Sequence, residues 1–116
     1  MTFNVFQYKD FVDLLDGLLK FKKEQNPMYS LRAWATQLGY RYPSYLSQCI
    51  RRERAVNAEF MRRFLEKENF NDLDRQYISF LYLLHCTKGL ENLEIEKLFE
   101  KFFKESEVPA ELFKSF

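Results

Sequence analysis

Glycine and proline are scarce in this chain, three of each in 116 residues, and β-branched residues are few. That scarcity excludes a turn-rich all-β fold and leaves helices joined by short connections. Cysteine is down to two, Cys49 and Cys86, which excludes a disulfide-stapled scaffold and suits a reducing compartment. Histidine occurs once, His85, beside Cys86. A zinc site needs further ligands, and Cys49 falls in another predicted helix without paired spacing, so His85 reads as a core or boundary residue. The longest apolar run, from Tyr77 to Cys86, is ten residues, too short to span a bilayer. The N-terminus MTFNVFQYKD has charge in its first turns and no apolar h-region, so no secretory leader is expected and a cytoplasmic location is. A nucleophile elbow, a glycine-rich phosphate loop and a conspicuous carboxylate pair are all missing. Asp10, Asp13 and Asp16 share a helix face, but Lys9 and Lys20 beside them make that face a solvated one. The chain is read as non-enzymatic, with no cofactor and no metal.

What remains is rich in apolar and aromatic side chains: 47% hydrophobic, with thirteen Phe and seven Tyr. One all-α domain of five to six helices with a sizeable core is expected. Phe11, Leu14, Leu15, Leu18 and Phe21 fall at helical spacing and predict a first helix from about Gln7 to Glu24, weakened but not broken by Gly17. Gln25-Asn26-Pro27 stops it. Ser30 caps a short helix over Leu31–Leu38, which Gly39 terminates. Pro43 opens the next helix, to about Arg51, burying Leu46, Cys49 and Ile50. Asn57 caps a fourth that buries Phe60, Met61, Phe64 and Leu65, and Asn71 a fifth, to about Lys88, that buries Leu73, Tyr77, Phe80, Leu81 and Leu84. A sixth, Glu91 to about Glu105, carries Ile95, Leu98, Phe99, Phe102 and Phe103 over a Glu/Lys face.

Charge is distributed more tellingly than its sum of +1 suggests. Residues 30–57 hold five arginines against Glu53 alone, whereas residues 70–116 hold six basic and nine acidic groups. Nucleic acid responds to such local charge rather than to the total. The same basic stretch has helix-turn-helix spacing. Close packing of two helices needs a small residue in the first, Ala35, and a glycine at the turn, Gly39, with Trp34 and Leu38 facing inward. The turn Tyr40–Tyr42 is one residue longer than in the commonest form. The outward side of helix 43–51 is expected to show Ser44, Tyr45, Ser47, Gln48 and Arg51. Gln48 and Arg51 suit adenine and guanine edges; Tyr42 and Tyr45 suit thymine methyls or phosphate; Arg32, Arg41, Arg52 and Arg54 suit phosphates.

Tyr8-Lys9-Asp10-Phe11, Asn26-Pro27 with Tyr29-Ser30, Ala35, Leu38-Gly39-Tyr40, Pro43-Ser44-Tyr45-Leu46, Arg54, and Asp74-x-x-Tyr77 with Leu81 follow one another in a telling order. Over residues 6–88 that order resembles a large paralogous family of helix-turn-helix transcriptional regulators of predatory and fibre-degrading bacteria. The resemblance implies a helical DNA-binding domain similar to the phage-repressor (XRE-like) class, with helix 43–51 as reader. Two positions depart from the family pattern. Arg52 stands where glycine is usual, so it must adopt a left-handed conformation or let the helix run on. Tyr42 stands where serine is usual, removing an N-cap and adding an aromatic at the groove face. The family typically carries a further C-terminal domain, so the chain is expected to be either a short member or an N-terminal piece.

Residues 1–105 are thus read as a DNA-binding domain, with its helix-turn-helix at 31–51, and residues 106–116 as a tail or short helix. Phe99, Phe102, Phe103, Phe113 and Phe116 exceed what one amphipathic helix needs. They either close the core or form a homodimer interface, which suits a regulator reading two half-sites. The expected partner is double-stranded DNA. The alternative is a helical adaptor that binds a protein through helix six, motivated by the departures at Tyr42 and Arg52.

Overall fold

Side chains that accept backbone N–H groups set the starts of three helices, each where an Asn or Ser precedes an apolar run. The structure, a computed structural model, describes residues 2–87 together with Lys97, Glu100 and Lys101. Their regular structure is entirely helical: a 3₁₀ turn Val5–Gln7, then α1 (Phe11–Gln25), α2 (Leu31–Gln37), α3 (Ser44–Ile50), α4 (Ala58–Lys67) and α5 (Asp72–Cys86). Ser30 Oγ accepts from the Ala33 N–H at 3.1 Å, Asn57 Oδ1 from Phe60 at 2.8 Å and Asn71 Oδ1 from Asp74 at 2.8 Å. Each satisfies an otherwise orphaned donor at a helix start. Asp72 and Asp74 in the first turn of α5 complement its dipole.

The predicted start of the first helix near Gln7 is corrected. Asn4 Oδ1 accepts from the Phe6 N–H at 3.0 Å and closes a separate turn. Tyr8 is then extended, at φ −108° and ψ 138°, and its carbonyl accepts the Tyr77 hydroxyl proton. A helical Tyr8 would commit that carbonyl to its own helix. At the other end α5 stops at Cys86, with the Thr87 N–H bonded to the Leu83 and Leu84 carbonyls, short of the predicted Lys88. Lys97, Glu100 and Lys101 are helical and exposed. The rest of the predicted sixth helix, the tail, and Phe99, Phe102, Phe103, Phe113 and Phe116 lie outside the described residues.

The chain divides into two units, Val12–Phe70 and residues 1–11 with Asn71–Phe116. In the first, Leu14, Leu15 and Leu18 of α1 are buried with Trp34, Ala35 and Leu38, with Leu46 and Cys49 of α3, and with Phe60 and Phe64 of α4. Trp34 lies 6.4 Å from Phe64, which stacks on Phe60 at 5.7 Å. One carboxylate is buried among them: Glu68, just past α4, accepts from Trp34 Nε1 at 2.9 Å and pairs with Lys22 Nζ at 2.9 Å. Each oxygen therefore has a donor, which offsets the cost of taking the charge from water. Burial, and then the Glu68 charge, pushes the Tyr29 hydroxyl up to about 12.

In the second unit Val5 and Phe6 are buried with Tyr77, Ile78 and Leu81. Phe6 and Tyr77 rings lie 5.0 Å apart, and Phe11 meets Tyr82 edge-on at 5.7 Å and His85 at 6.0 Å. His85 is half-buried between rings, the boundary position its surroundings suggested. Leu73, Phe80 and Leu84, expected to be buried, are only partly so, as are Phe21, Ile50 and Leu65. Ile78, which the periodicity passed over, is fully buried. In a helix as apolar as α5 several stripes fit the 3.6-residue period, and packing selects the one centred on Tyr77, Ile78 and Leu81.

Candidate nucleic-acid interface

The turn between α2 and α3 is built from backbone geometry first. Gly39 has φ +92°; its N–H bonds to the Thr36 carbonyl at 3.0 Å and the Tyr40 N–H to the Ala35 carbonyl at 2.8 Å. This is a Schellman ending, and glycine occupies its left-handed position without penalty. Arg63 of α4 then fixes the turn from outside: Nη1 donates to the Gly39 carbonyl at 2.7 Å, and the guanidinium lies 4.7 Å from the Tyr40 ring centre. A Cβ at Gly39 would sit 3.0 Å from that nitrogen. Glu59 in turn holds Arg63 Nε at 3.0 Å and also binds Arg62. The two guanidiniums draw the Glu59 carboxyl down to about 2.

Pro43 occupies the N-cap of α3, and no side chain caps this helix, in keeping with a tyrosine at position 42. At 100° per residue Ser44, Gln48 and Arg51 span about 60° of arc, opposite Leu46 and Cys49. Leu46 and Cys49 are buried, Ser44 and Arg51 exposed, and Ser47 and Gln48 half-exposed. Among the described residues this leaves one polar row facing water. Burial raises the Cys49 thiol above its ordinary value, which makes it an inert core group.

Tyr45 is a correction. It was expected on the outward side; instead its ring stacks on Tyr40 at 5.4 Å and lies 6.1 Å from Phe60. Its hydroxyl accepts the Asn57 N–H at 2.9 Å, so it holds the segment leading into α4. Burial pushes that hydroxyl up to about 12. Tyr42, by contrast, is 63% exposed, with the Arg41 guanidinium 6.0 Å from its ring centre.

The five arginines divide by what they already bind. Arg32, Arg41 and Arg54 are exposed and have no carboxylate partner among the described residues; Arg54 lies 5.4 Å from the Tyr45 ring centre. Arg51 Nη2 pairs with Glu53 Oε1 at 2.9 Å, and Arg52 Nη2 with Asp13 Oδ1 at 2.8 Å. Arg52 takes the first of the two expected conformations, with φ +63°, and ends the helix. The Arg52 N–H bonds to the Cys49 carbonyl at 3.1 Å and the Glu53 N–H to the Gln48 carbonyl at 2.8 Å. The ending of α2 is thus repeated at α3 without a glycine.

Sequence reading missed Tyr40, Glu53, Glu59, Arg63 and Glu68 as contributors. Glu59 and Arg63 are visible as an i,i+4 pair, but nothing in that spacing reveals the reach to Gly39. Among the described residues no group of three or more His, Cys, Asp or Glu is placed to hold a metal ion, and no helix is long and apolar enough to cross a membrane. No model of a known protein family matches the chain, and no curated protein or solved structure matches it either.

Proposed function

We propose that the chain is a sequence-specific DNA-binding regulator that enters the major groove with α3. One observation carries the reading: Ser44, Gln48 and Arg51 form a water-facing polar row on α3, flanked in the chain by exposed arginines, Arg32, Arg41 and Arg54, that have no carboxylate partner among the described residues. Gln48 and Arg51 have the donors and acceptors that pair with adenine and guanine edges. Arg32, Arg41 and Arg54 supply the sequence-independent attraction to phosphate. The resemblance of residues 6–88 to helix-turn-helix regulators points the same way, and the reading places the chain in the cytoplasm. The reading includes a homodimer spanning two half-sites about one DNA turn apart, joined through Phe99, Phe102, Phe103, Phe113 and Phe116.

Enrichment of bound duplexes from a random library tests it. The wild-type chain selects a defined site, and Gln48→Ala/Arg51→Ala selects none while keeping weak, salt-labile binding. Affinity for the selected site falls with salt at a logarithmic slope of about −0.9 per phosphate neutralised. A wild-type protein that enriches no sequence ends the DNA reading, and a stoichiometric protein partner would then favour the adaptor.

A further inference from the structure

Glu53 is the sole acidic residue between positions 30 and 57, the stretch where a carboxylate does most harm to phosphate attraction. It is also placed with unusual care. The backbone at Arg52 is left-handed, a conformation that a non-glycine residue adopts only at a cost in strain. That turn directs the Glu53 N–H to the Gln48 carbonyl and brings Glu53 Oε1 to 2.9 Å from Arg51 Nη2. Both side chains remain exposed, at 58% and 56%.

Resting on the DNA reading above, we propose that Glu53 is a specificity-determining residue: it holds the Arg51 guanidinium for a guanine edge and away from phosphate. A free arginine on a helix end swings among many rotamers and satisfies itself on any phosphate oxygen. Glu53 engages one of its five donors and leaves the others for the O6 and N7 of guanine. The carboxylate also repels the backbone of every duplex alike. Sequence-independent binding is therefore penalised, while the matched site recovers its loss through the oriented fork.

The test compares wild type, Glu53→Gln and Arg51→Ala on the duplex that wild type enriches, and on duplexes in which each guanine of that site is replaced in turn, at several salt concentrations. At the position where Arg51→Ala abolishes discrimination, Glu53→Gln is expected to lower it about 2–5-fold, the range of an exposed ion pair. Its affinity for unrelated DNA rises and its salt dependence steepens. A carboxylate that only repelled phosphate would change both of those and leave discrimination at the Arg51 position intact, and thermal unfolding of the variant controls for folding. Undiminished discrimination in Glu53→Gln overturns this inference and leaves the DNA reading standing. Failure of wild type to enrich any duplex overturns both.

Discussion

Arg52 sits at φ +63°, where the same ending of α2 uses Gly39. Its ion pair with Asp13 is exposed on both sides, and such pairs contribute about 0–1 kcal/mol, no more than the strain itself. Comparing Arg52→Gly with Arg52→Ala removes the pair from both and isolates the backbone. The glycine variant is expected to be more stable by about 1 kcal/mol in urea unfolding; equal stabilities would show that the left-handed turn is unstrained. Glu59 offers a second test at this scale. Arg62 and Arg63 draw its carboxyl from 4.5 down to about 2. A group whose folded value is depressed stabilises the fold above its unfolded value, and that contribution is lost as pH falls toward the folded one. Between pH 4.5 and 2, therefore, wild type loses stability more steeply than Glu59→Gln, as melting temperatures across that window will show.

Short helices cannot hold themselves: α2 and α3 are seven residues each, well below the length at which isolated helices persist. Their order comes from tertiary anchors. The Tyr45 hydroxyl takes the Asn57 N–H, so Tyr45→Phe hands that exposed donor to water and is expected to cost about 1 kcal/mol, with faster amide exchange at Asn57. Glu68 is the larger anchor, since it satisfies both Trp34 of α2 and Lys22 of α1. Glu68→Ala strands an indole N–H and a mostly buried ammonium, and a loss of about 3 kcal/mol is expected in urea unfolding. An unchanged midpoint would mean that water replaces the carboxylate at no cost. The caps of α2, α4 and α5 were legible because an Asn or Ser before an apolar run has a local job. These anchors were not, because Glu68 lies 34 residues from Trp34 and 46 from Lys22, and no periodicity links them.

Across the whole molecule the charge is segregated, basic in residues 30–57 and acidic beyond residue 70. On the proposed reading each of Arg32→Ala, Arg41→Ala and Arg54→Ala makes the logarithmic salt slope shallower by up to about 0.9 without changing the selected sequence. A changed sequence preference in any of them would reassign that arginine to a base edge. The candidate interface was legible in part. Ser44, Gln48 and Arg51 follow from a helical repeat opposed to Leu46 and Cys49, whereas Tyr45 was misplaced because an amphiphilic ring suits either side of a helix.

What this chain's residues settled unaided is local: helical class, the capped starts of α2, α4 and α5, the glycine stop after α2, and the basic stretch around α3. Those depend on neighbours within a turn or two, where backbone hydrogen bonding and side-chain spacing act directly. Folding in three dimensions decided the rest. It chose which apolar stripe of α5 is buried, turned Tyr45 inward, put Glu68 beneath Trp34, and gave Arg52 its left-handed turn with Glu53 against Arg51. Each of those required two segments distant in the chain, or two competing conformations of similar energy, and only packing distinguishes between them.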